Sequence, residues 1–113
     1  MKTGINLIAE ERQEHLTKHA RSVLRDAEEN CNEQLAHGAE MLLASEHEEG
    51  IDSKSYPDGW DEEICTKMLS KPYKEKLIIA GSLIAAEIDR LLYFEQAKEA
   101  EVRSKDPRGD NPP

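Results

Sequence analysis

The segment from Tyr73 to about Val102 constrains this chain more than any other. It contains no Pro and one Gly, and Leu77, Ala80, Gly81, Ile84, Ile88 and Leu91 recur at helical spacing as one stripe. Ile78, Leu83, Leu92 and Phe94 widen that stripe, and a helix apolar over so much of its circumference is buried on more than one side. At 1.5 Å per residue such a helix spans about 45 Å. A chain of 113 residues has room for one domain. The expected architecture is therefore all-α: a small bundle of about four helices built on this long C-terminal one, over residues 1–102.

The other helices are shorter. Ile5, Ile8, Ala9 and Leu16 form a stripe with a polar gap between about Asn6 and Lys18, and Thr3 suits its N-cap. Residues 21–32 are dense in charge, with Val23 and Leu24 the main apolar content, and read equally as helix or loop. Leu35, Ala39, Leu42 and Leu43 define a helix from about Glu33 to Ala44, capped by Asn30 or Asn32. Ser45 to Gly59 is a loop that closes on the turn signal Tyr56-Pro57-Asp58-Gly59. Asp61-Glu62-Glu63 gives the acidic first turn of a helix ending near Leu69. Ser70-Lys71-Pro72 breaks it, and Pro72 fits the start of the long helix. The tail from residue 103 to Pro113 has the composition of a disordered segment.

Charge narrows the partners. The formal net charge is −9, so the basic footprint that neutralises a phosphate backbone is missing, and neither long nucleic acid nor an anionic membrane surface is an expected partner. Two or three local cations still suffice for one nucleotide. Cys31 and Cys65 lack metal-ligand spacing and there is no membrane-length apolar run, which points to a reduced, cytoplasmic protein.

Several constellations carry possible chemistry. Glu14 follows Glu11 by three residues and Glu10 by four, so one helical face presents carboxylates to a magnesium ion. The bland alternative is a solvated acidic face. His15 and His19 have the i, i+4 spacing of a metal pair, or are surface histidines. Glu87 borders the apolar stripe and needs a partner, Arg12 or Arg90, or a ligand. Trp60, Tyr73 and Tyr93 with Lys71 and Lys74 form the aromatic and basic grouping suited to a planar, phosphorylated ligand, while Trp60 also suits a plug under the loop. The ligand-facing set is Arg12, Trp60, Lys71, Tyr73, Lys74, Glu87 and Arg90. Ala80-Gly81 and Ala85-Ala86 allow close approach of a neighbouring helix, expected from a second copy of the chain. No nucleophile motif, P-loop or dinucleotide fingerprint is present, so no catalytic residue is assigned.

Two resemblances follow from these residues. Glu11-Arg12-Gln13, Gln34-Leu35-Ala36, the Trp60 turn and Ala80-Gly81-Ser82-Leu83-Ile84-Ala85-Ala86-Glu87-Ile88-Asp89-Arg90-Leu91 together resemble a group of small phage and prophage proteins, over roughly residues 5 to 94. That similarity implies a viral or prophage origin and a host-cell cytoplasmic setting. Members often carry an acidic-His pattern before the second helix, where this chain reads Asp26-Ala27-Glu28-Glu29-Asn30. Separately, Glu10, Glu11 and Glu14 resemble half the signature of the all-α MazG-type nucleotide pyrophosphatases, which would use Mg²⁺ there. The family's following ExxD is absent from the second helix, and Glu49-Gly50-Ile51-Asp52 fits it only in a loop. The expected function is a non-enzymatic, homo-oligomeric accessory protein that binds a small ligand, such as a nucleotide immune signal. The alternatives are that pyrophosphatase and an inhibitor of a host protein.

Overall fold

A computed structural model describes residues 1–17, 23–30, 33–45 and 56–104, with the side chains of residues 23, 24, 27 and 101–104 left aside. Every regular element among them is a helix: α1 (Gly4–Thr17), α2 (Val23–Glu29), α3 (Gln34–Ala44), α4 (Glu62–Leu69) and α5 (Tyr73–Ser104). The fold is all-α and built on the long C-terminal helix, with α1, α2 and α3 each packed along α5. The helical option for the charged stretch after α1 is the one realised, as α2. No helix among the described residues is long and apolar enough to cross a membrane. His19, Cys31, Asn32, the Glu49–Asp52 segment and residues 105–113 lie outside the described residues.

Local chemistry sets the helix starts. Thr3 caps α1 reciprocally with Asn6: the Asn6 N–H donates to Thr3 Oγ1 at 3.2 Å, and the Thr3 N–H donates to Asn6 Oδ1 at 2.9 Å. At α4 the cap is Asp61, whose Oδ1 accepts from the N–H groups of Glu63 and Ile64. The Trp60 N–H closes the preceding turn onto the Pro57 carbonyl at 3.2 Å, with Gly59 at φ 79°, a conformation glycine takes without penalty. The capping residue of α3 differs from expectation. Glu33 occupies that position in the left-handed region at φ 63° and supplies no side-chain bond. Asn30 is committed elsewhere, as described below.

The core is small. Leu35, Ala39, Met41 and Leu42 of α3 meet Ile79, Ala80, Leu83 and Ala86 of α5, with Cys65 of α4 closing one side. Two glycines mark close approaches. A Cβ on Gly38 would sit 2.6 Å from the Trp60 ring, and one on Gly81 would sit 2.6 Å from Ile8 Cδ1. The small-residue patch of α5 is thus largely covered within the chain: Ala80 and Ala86 are buried in the core, Gly81 receives Ile8 of α1 and Ala85 is half-buried. This corrects the expectation that a second copy packs on that patch. The apolar stripe needs a correction too. The face buried is the Ile79, Leu83, Ala86 one, whereas Leu77, Ile84, Ile88 and Leu91 are 39%, 46%, 51% and 47% exposed. Periodicity finds both apolar faces of a helix but cannot say which one the chain's own elements reach.

Candidate functional site

Beside this core lies a groove of about 880 Å³, open along one side and walled by α1, α2, the Trp60 turn, α4 and α5. Its apolar floor includes Trp60, Ile64, Met68, Ile78 and Leu83. Among the described residues, seven carboxylates, from Glu11 on α1 to Glu75 on α5, line it against three cations, Arg25, Lys67 and Lys71. The size falls within the usual range of small-molecule pockets, roughly 300–1,000 Å³.

The α1–α2 wall is held by buried polar groups. Arg12, His15, Asp26 and Asn30 are all buried, and Asp26 is only 1% exposed. Arg12 Nη1 lies 3.8 Å from Asp26 Oδ2, while Arg12 Nε and Nη2 donate to Asp89 Oδ2 at 3.3 and 3.2 Å. Asn30 Nδ2 donates to Asp26 Oδ1 at 3.0 Å, and Asn30 Oδ1 accepts from Trp60 Nε1 at 2.8 Å. One chain of contacts therefore runs from α5 through Arg12, Asp26 and Asn30 to the indole. Charges are buried where their partners are fixed, and burying them elsewhere is costly. On the same wall His15 Nε2 meets Glu11 Oε2 at 2.8 Å.

The expected site residues divide into two groups. Trp60 and Lys71 line the groove, as do Glu11 and Glu14. Arg12 stands behind it as the partner of Asp26. Tyr73 is 57% exposed and, like Lys74, does not line the groove, so the aromatic and basic grouping is only partly assembled. Glu87 finds Arg90, one of its two expected partners, in a bidentate pair within α5, with Arg90 Nη2 donating to Glu87 Oε2 at 3.0 Å. Arg90 also lies 5.8 Å from the Phe94 ring centre, and Phe94 meets Tyr93 edge-on. The ion pair that ties α1 to α5 is Arg12–Asp89 instead.

Among the described residues, no three His, Cys, Asp or Glu side chains converge as around a metal ion. Glu10 turns away to Lys2 at 2.8 Å while Glu11 turns toward His15. The sequence presents Asp26 only within the acidic Asp26–Asn30 stretch and Asn30 only as a cap candidate. Their i, i+4 spacing on a polar helix was visible, but nothing in their neighbours signals burial. The Cys65 thiol is pushed up from its ordinary value of 9.0, first by burial and then by the Asp61 and Glu62 carboxylates, which makes it a poor nucleophile.

The chain finds no match among known protein families, curated proteins or solved structures.

Proposed function

We infer that the protein is a non-enzymatic binding protein, working as a homo-oligomer and holding a small ligand of nucleotide size in the groove between α1, α2, α4 and α5. The observation that carries this reading is the groove itself, with an indole of its floor fixed by Asn30 and with Lys67 and Lys71 lining it too. A planar base stacks on such a ring and a phosphate pairs with such cations. The seven carboxylates set a limit on charge, since each further phosphate adds repulsion. A lightly charged nucleotide signal, sequestered intact, fits that balance better than a triphosphate.

The test is incubation with nucleosides, monophosphates and triphosphates in Mg²⁺, followed by measurement of turnover and of ligand released on heat denaturation. Unaltered ligand should be recovered, with monophosphates bound more tightly than triphosphates, and Trp60→Ala should weaken binding at least tenfold. Turnover that disappears in Glu11→Gln would overturn binding in favour of pyrophosphate hydrolysis. Absence of any bound species would leave the groove without this role.

A further inference from the structure

The face of α5 that the described residues leave half exposed has a regular construction. Leu77, Gly81, Ile84, Ile88 and Leu91 follow one another at alternating steps of four and three residues, the spacing of a two-helix seam. Over roughly four turns no charged side chain interrupts it. Where Gly81 offers no side chain, Ile8 of α1 lies over the backbone and continues the apolar surface. An exposed apolar strip of this length is an interaction surface.

We propose that this strip is covered by the same strip of a second copy, with the two α5 helices antiparallel. The inference gives the homo-oligomer reading above its interface. A seam of three-four spacing is complementary to itself, and charge selects the direction. Pairing Leu77 with Ile88 of the second copy places Ile84 against the Ile8 side chain that covers Gly81, and Lys74 opposite Leu91. Lys74 then stands one turn from Glu95 of the other chain. A parallel pair would instead stack Lys74 on Lys74, Glu95 on Glu95 and Lys98 on Lys98, and like charges across a seam disfavour the pairing. The same antiparallel register brings Tyr73, 57% exposed, beside Phe94, 44% exposed. It also covers the two short aromatic ends that the single chain leaves in water.

Two measurements on the full chain decide it. Sedimentation should give twice the 12.8 kDa chain mass, and Ile84→Glu with Ile88→Glu should reduce it to one chain with the helical circular dichroism retained. For direction, Leu77→Cys and Ile88→Cys are made as separate proteins in a Cys31→Ser background and mixed under mild oxidation. Disulfides between the two different variants should outnumber disulfides within each variant by at least fivefold. Like-with-like disulfides would overturn the antiparallel arrangement. A dimer that survives both glutamates and forms no disulfide would overturn the seam while leaving self-association intact. A monomer at all concentrations would overturn both and hand the face to a different protein.

Discussion

Asp26 carries the most consequence of any single side chain here. It is 1% exposed, lies 3.8 Å from the Arg12 guanidinium and accepts from Asn30. Asp26→Ala removes the acceptor and leaves Arg12 buried with one counter-charge fewer, so a loss of about 3 kcal/mol is expected in urea unfolding. Asp26→Asn should cost less, because it keeps the bond to Asn30. Cys65 makes a second prediction at this scale. Its thiol titrates higher in the folded protein than in the unfolded chain. Above about pH 9 the unfolded chain therefore releases its proton first, and stability falls as pH rises through that window. Below it the contribution is fully present. Cys65→Ala should flatten that alkaline slope in a series of unfolding curves, while lowering stability at every pH through the cavity it leaves.

Among the elements, the two tight glycines should respond differently to the same substitution. Alanine at Gly38 collides with the Trp60 ring, which Asn30 holds in place, so the indole cannot move without losing that bond. A net loss of about 1–2 kcal/mol is expected, even after the gain in helix propensity. Alanine at Gly81 meets Cδ1 and Cγ1 of Ile8 at 2.6 and 2.9 Å, so that half-buried side chain must shift; thermal unfolding should show a loss of about 1 kcal/mol, smaller than at Gly38 because no hydrogen bond holds Ile8 in place. The elements were largely legible in the sequence, because caps and breakers act locally: Thr3, Asp61 and Pro72 stand where their chemistry is used. Less legible was which face of α5 turns inward. Leu77, Ile84 and Ile88 are as apolar as Ile79 and Leu83, and only the placement of α1 and α3 separates them. The site was half legible. Trp60 and Lys71 announce themselves by type, whereas Asp26 and Asn30 matter through a burial that their polar neighbours conceal.

The whole molecule is long for its mass. Its extents are 59 × 38 × 25 Å and its radius of gyration is 17.3 Å, against about 13 Å for a compact domain of some 100 residues. The cause is α5, whose residues 91–100 are all exposed. An isolated helix of that length is marginal in water, so its persistence calls for packing along its side. If two copies pair there, dilution should loosen it. Thermal unfolding should then shift upward by roughly 3–4 °C for each tenfold rise in protein concentration, and amide exchange beyond Leu91 should slow in step. A concentration-independent midpoint would count against pairing.

Trp60 is the single tryptophan of the chain, and its ring stands at the junction of groove, turn and α3. Its emission therefore has one origin. A molecule entering the groove, or a break in the Asn30 bond, changes the surroundings of that one indole and shifts its fluorescence without any label. The protein carries its own optical gauge of occupancy, and a simple titration under ultraviolet excitation reads it.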